Sequence, residues 1–269
     1  MTKYNAVEGL KVASADGVLD LMLDRSDKRN SLNDVMVAGL IDAISEAGRD
    51  EAVRVIVLRG AGDHFCGGFD IIARNSEAGD RPRVGSIQRR LPHQAHGLVA
   101  LIATVQTPVV CVVRGWAAGI GLHLALAADF AIADDQARLW EPFAERGFTP
   151  DSGGTWLLPR RVGEVRAREV LLLGRVLTGL EAAEWGMVHR AVPAVDLEDE
   201  AASLVGQLAS GPTVSLGLTK WLLHVAPSSS FEGHLHDEAM ALELSSRSED
   251  FREGFAAYKQ KRPPRFTGR

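Results

Sequence analysis

The sequence predicts an α/β fold in which strands alternate with helices that cover their faces. Three observations predict it. Strand-length and helix-length apolar patterns alternate through the first two thirds of the chain. Two glycine-broken turns, HFCGGFD at 64–70 and GWAAGIGLHLALAAD at 115–129, punctuate that alternation, and the second runs straight into an apolar helix. The last third reads almost wholly as helix.

In chain order, residues 17–23 alternate in polarity as a strand does, and 25–30 is a polar loop. An amphipathic helix follows over 33–49, with Asn33 or Ser31 as its N-cap. The β-branched run at 53–62 is a strand that ends in a glycine turn, and 87–105 is expected as one helix. TPVVCVVRG at 107–115 is a buried strand, in which Pro108 suits the first position. Residues 122–128 read as helix and 130–133 as a short strand. Beyond them, helices are expected at 164–173, 179–185, 197–209, 212–225 and 231–245, with a soft boundary near 193–196.

Bulk properties narrow the function. The chain has 269 residues, 46% hydrophobic and 24% charged, which suits a soluble enzyme with one large core and a smaller appendage. A net charge of −5 gives nucleic-acid binding no electrostatic support. Cys66 and Cys111 lie far apart in apolar or glycine-rich surroundings, so a reducing cytoplasm is expected rather than a disulfide framework. No CxxC or HExxH spacing suggests a metal. The first residues lack a signal-peptide core, and the apolar run at 98–133 is cut by Pro108, Arg114 and glycines, so no membrane role is expected.

The two glycine turns carry chemistry. A developing oxyanion needs two N–H donors converging on one oxygen, and backbone amides at a helix start supply them with little reorganisation. Small neighbours let an acyl group approach. Taken together, these turns resemble the two halves of the oxyanion hole in the crotonase (enoyl-CoA hydratase/isomerase) superfamily, and the likeness runs through nearly the whole chain. It implies a spiral of ββα units at 1–195, carrying the CoA-binding and catalytic site. It also implies a C-terminal helical region at 196–269 that packs homotrimers, often paired into homohexamers. The donors it implies are the amides of Phe69 and Ile120, a branched isoleucine standing where the family usually has glycine. No cofactor is implied, because CoA enters as part of the substrate thioester.

The resemblance extends to substrate binding. RSDKRNSLN at 25–33 is similar to the family's loop for the CoA nucleotide: Lys28 and Arg29 would meet phosphate, and the backbone at Asn30 and Ser31 would read adenine. EGFAAYKQKRPPRF at 253–266 resembles the C-terminal signature, where Tyr258 and Lys261 match positions that touch CoA, commonly from a neighbouring subunit. Gly67, Asp70, Ile71, Gly119 and Phe143 fall along the implied CoA and acyl path. Read without the resemblance, the two segments are a solvated basic loop and a charged tail.

Both glutamates of the family's hydratases are missing. Their positions hold His123 and Phe143, and Glu141 lies two residues from the second. Hydration wants two groups to position and deprotonate a water, so the departure points away from simple 2-enoyl-CoA hydration. FTPDSGGTWLLPR at 148–160 instead carries Asp151 where the isomerase-type members keep an aspartate. The resemblance implies that Asp151 moves a proton between two acyl carbons while the amides hold the enolate. Such a base is expected to be desolvated, with Phe143, Phe148 and Trp156 as the apolar wall. The plainer alternative makes Asp151 the N-cap of a helix from about Gly153. His123 is either an acid–base partner or a hydrogen-bonded core residue. Hydration or hydrolysis on the same scaffold is one alternative reaction, including a dehalogenase-like route with Asp151 as nucleophile and His96 activating water, and a non-catalytic acyl-CoA binder is another.

Overall fold

A two-residue hairpin turn begins the sheet. In the computed structural model, which describes residues 3–70 and 83–269, β1 (Leu10–Ala15) and β2 (Val18–Leu23) pair antiparallel. Asp16 and Gly17 between them both take positive φ, 50° and 81°, which matches the twist of the flanking strands. α1 (Asp34–Ala47) follows, and the Asn33 side chain caps it by accepting the Met36 N–H at 2.8 Å.

β3 (Val55–Gly60) returns parallel to β2. The helix expected over 87–105 is broken: α2 (Ser86–Arg90), a 3-10 turn at Leu91–His93 and α3 (Ala95–Thr104) replace it. Pro92 has no N–H to continue the ladder, and Gln94 leaves helical geometry at φ −126°, ψ −111°. β4 (Val109–Val113), β5 (Trp116–Ala118), α4 (Ile120–Ala127), β6 (Phe130–Asp134) and β7 (Arg138–Trp140) form the second repeat. α5 (Gly154–Leu173) begins ten residues before the expected start and bends where Gly163 takes φ 77°. β8 (Leu177–Thr178), α6 (Gly179–Glu184), β9 (Arg190–Val192), α7 (Leu197–Ala209), α8 (Thr213–Val225), α9 (Phe231–Ser245) and α10 (Glu249–Gln260) complete the chain.

The strands form two sheets, ordered β1-β2-β3-β4-β6-β9 and β5-β7-β8. From β2 to β9 every pairing in the larger sheet is parallel. β4 is buried at every position because helices cover both faces. On one face Leu58, Cys111 and Val113 join the large core with α1, α3 and α4. On the other, Val57, Val112 and Ile132 meet Leu197 and Ala201 of α7, while Val55 and Val110 meet Leu208 and Leu216. α7, which begins just past the boundary expected near 193–196, packs as a layer of the core. Among the described residues no helix is long and apolar enough to cross a membrane.

Candidate active site

Backbone hydrogen bonds stitch the two glycine turns together. The Phe65 and Cys66 N–H groups donate to Arg114 and Trp116 carbonyls at 2.7 and 2.9 Å, and Ala118 N–H donates back to the Cys66 carbonyl at 2.9 Å. Gly68, at φ 107°, lies so close to β5 that a Cβ there would stand 3.3 Å from the Ala118 oxygen. Gly119, at φ 52°, turns the chain into α4 while its N–H donates to Trp140 at 2.9 Å. Ile120 is the first residue of α4, at the end where helix amides lack partners within the helix. Its branched side chain is 4% exposed and joins the core, so the departure from glycine does not narrow the cavity.

That seam borders a cavity of about 580 Å³, lined by Gly67, Phe69 and Asp70 from the first turn and Trp116 and Ala118 from β5. Arg29 and Ser31 line one side, and Trp140, Arg146 and Phe148 the other. The basic loop is held against the seam. Asn30 is fully buried with φ 56°; its amide donates to the Ala61 and His64 carbonyls, and its oxygen accepts the Arg25 N–H at 2.9 Å. Gly67 N–H donates to the Arg29 carbonyl at 2.7 Å. Arg25 and Lys28 both reach Asp70, at 3.0 and 3.3 Å, so the Lys28 charge is already engaged by a carboxylate. Ile71 lies outside the described residues.

Asp151 departs from its expected surroundings. Its side chain is exposed and accepts the Ser152 hydroxyl at 2.9 Å, so among the described residues no apolar wall desolvates it. Trp156 is 45% exposed and carries the Arg160 guanidinium over its ring at 3.7 Å. The capping alternative fails too: Gly153 is the N-cap of α5 and no side chain caps it. His96, exposed on α3, places Nε2 against the Asp151 carbonyl oxygen rather than its carboxylate.

The buried carboxylate of the region is one that sequence reasoning left unassigned. Glu141 Oε1 lies 2.7 Å from His123 Nε2, and both side chains are 0% exposed. The His123 ring stacks on Phe143 at 5.9 Å and 5°, and Phe143 meets Phe148 edge-on at 5.3 Å. The two hydratase-glutamate positions are therefore an imidazole and a phenyl ring in contact. An extended segment at 138–141 places Glu141 beside α4, and that extension was the available signal. Trp116 and Arg146 were also missed; for Trp116 the signal was an aromatic residue at the end of a short strand. Tyr258, 85% exposed on α10, and Lys261, its C-cap, do not line the cavity. Burial pushes the Cys66 thiol up to about 12, which keeps it protonated at neutral pH.

Known proteins match this architecture end to end. The family model described as enoyl-CoA hydratase/isomerase matches residues 13–269. A protein named 1,2-epoxyphenylacetyl-CoA isomerase from Escherichia coli (strain K12) is 40% identical over 94% of this chain and 96% of its own. A trans-2-decenoyl-[acyl-carrier-protein] isomerase from Streptococcus mutans is 31% identical over 94% of this chain and 96% of its own. The crystal structure of an enoyl-CoA hydratase from Bacillus anthracis superposes with a TM-score of 0.89 at 28% identity, covering 97% of this chain and all of that one. Stitched glycine turns, a parallel sheet clad on both faces and these matches agree: the chain belongs to the enoyl-CoA hydratase/isomerase family and has the crotonase fold.

Proposed function

We propose that the protein moves a carbon–carbon double bond in an unsaturated acyl-CoA by way of a thioester enolate. The observation that carries this reading is the His123–Phe143 contact. A hydratase needs two groups to hold its water, and here those positions hold one imidazole packed on a hydrocarbon ring. A proton shift needs an oxyanion hole and a proton carrier. The Phe69 and Ile120 amides, next to a cavity that Phe69 lines, are the proposed oxyanion donors. Asp151 is the proposed proton carrier. Phe148, three residues before it, lines the cavity, and Gly154, three residues after it, abuts His123. Its exposure means that thioester binding must supply the desolvation. Two of the relatives are named isomerases, which supports the same reading. CoA binding is assigned to Lys28, Arg29 and Ser31, with Tyr258 and Lys261 serving a neighbouring copy. Exposed Phe231, Leu242, Phe251 and Phe255 on α9 and α10 support a homotrimer or homohexamer. The proposed location is the cytoplasm.

The test is α-proton exchange of acyl-CoA thioesters in deuterated water. Asp151→Asn should keep the fold and CoA-thioester binding and lose turnover by roughly 10²–10⁴-fold. Isomerisation retained in that variant would end the assignment. His96, whose Nε2 meets the Asp151 main-chain carbonyl, stands beside the residue that would be the nucleophile, and hydrolysis is the second reading. Incorporation of heavy oxygen from labelled water, with transient labelling of the Asp151 carboxylate, would establish it in place of isomerisation.

A further inference from the structure

The His123–Glu141 pair is half satisfied. Nε2 and Oε1 share a 2.7 Å contact, while His123 Nδ1 and Glu141 Oε2 are buried with no hydrogen-bond partner among the described residues. Unpaired buried polar atoms cost stability, so a purely structural pair would close both ends. Three elements of the site converge on it. His123 stands on the first turn of α4, three residues from Ile120. Phe143, stacked on the ring, lies 3.5 Å from where a Cβ on Gly119 would stand. On the other side, a Cβ on Gly154 would overlap His123 Nε2, so glycine is required there for the ring to fit. The pair thus sits between the oxyanion turn and the segment that carries Asp151.

We propose that His123 is a second proton carrier of this site and that Glu141 is its positioning residue. This inference rests on the isomerisation reading above. Asp151 takes a proton from one acyl carbon; that C–H bond breaks and its electron pair moves into the thioester carbonyl. The enolate pair then forms a C–H bond at the second carbon with a proton from His123 Nδ1–H. Asp151 is left protonated and His123 neutral, and one proton passes from the first to the second through solvent to restore the site. Glu141 Oε1 accepts the Nε2–H and so fixes Nδ1 as the working nitrogen. Phe143, 6% exposed, and Phe148 stand between the ring and the cavity, so the step requires Phe143 to turn aside.

The experiment follows a 3-enoyl-CoA in deuterated water and reads kcat, KM and the share of the removed proton that returns to product. Wild type should show no internal return. His123→Gln should lose about 100-fold in kcat with KM within about threefold. Glu141→Gln should lose about tenfold alone and add almost nothing to His123→Gln, because it acts through the ring. Unchanged kcat in folded His123→Gln, additive losses, or predominant internal return in wild type would each overturn the inference. If His123→Gln fails to fold, the wild-type label and the Glu141→Gln kinetics decide. A wild type that exchanges no α-proton removes the isomerisation reading and this inference with it. Exchange in wild type with undiminished kcat in His123→Gln removes this inference alone.

Discussion

Gly121 is the residue on which the seam between the two glycine turns closes. A Cβ there would stand 2.5 Å from the Cys66 carbonyl oxygen and 2.8 Å from the Cys66 Cβ, and Cys66 is fully buried and bridged to Ala117, so it cannot yield cheaply. Gly121→Ala should therefore push the two turns apart. We expect a loss of about 1–3 kcal/mol in urea unfolding, the usual range for overpacking, and a fall in α-proton exchange larger than the fall in CoA-thioester affinity. The close approach of the two turns was legible at this scale. Glycines at fixed offsets before an apolar helix state where a backbone must pass closely, and His123 is placed by counting from them. Glu141 was left unassigned because Pro142, next in sequence, left open whether the segment before it stays extended. The Asp151 environment was not legible either. Phe143, Phe148 and Trp156 are neighbours in number, but α5 leaves Trp156 exposed while Phe143, just before the 3-10 turn at Ala144–Arg146, packs on His123.

Helix α8 is tied to the sheet by one buried cation. Lys220 Nζ donates to the Ile102 carbonyl at 2.9 Å and meets Asp129 Oδ2 at 2.7 Å; the same carboxylate oxygen accepts the Val109 N–H at the start of β4. Burial pulls the Lys220 pKa below its ordinary value, and the Asp129 charge opposes that pull. Lys220→Ala would strand a partly buried carboxylate, so unfolding free energy should fall by about 3 kcal/mol, the low end for breaking such a pair. An unchanged urea midpoint would show that the lock contributes nothing. Elements with long apolar period were legible: α1, β3, β4 and the helices from α7 to α9 fall within a few residues of expectation. Shorter pieces were not. β5, β7 and β8 are two or three residues each, too short for any period to declare itself. β1 did leave a signal in the Asp16–Gly17 dipeptide, the pair that a two-residue hairpin favours. α10 was hidden because its exposed face is highly charged; Ser248 caps it by accepting the Phe251 N–H at 3.0 Å.

For the molecule as a whole, the C-terminal stretch folds back onto the first half of the sheet, a closure that no local pattern announces. Arg54, just before β3, donates to the Gly211 and Phe266 carbonyls and to Thr213. Asp250 is buried and accepts the Thr267 and Gly268 N–H groups at 2.7 and 2.9 Å. Glu253 completes the clasp: it takes both Arg262 nitrogens, at 2.6 and 2.8 Å, and the Arg265 N–H at 2.7 Å. The Arg262 hydrogen bonds first, and the Arg265 amide second, hold the Glu253 carboxyl down to about 2 against an ordinary 4.5. Between those two values the unfolded chain binds the proton and the folded chain does not, so stability rises with pH across that window. The clasp contributes fully above about pH 4.5 and is lost as pH falls toward about 2. Glu253→Gln should accordingly unfold at lower urea than wild type at pH 6, and the gap between the two midpoints should close as the pH is lowered through that window. A gap that stays constant from pH 6 down to pH 3 would mean the glutamate acts by shape alone and that its charge is not what fastens the tail.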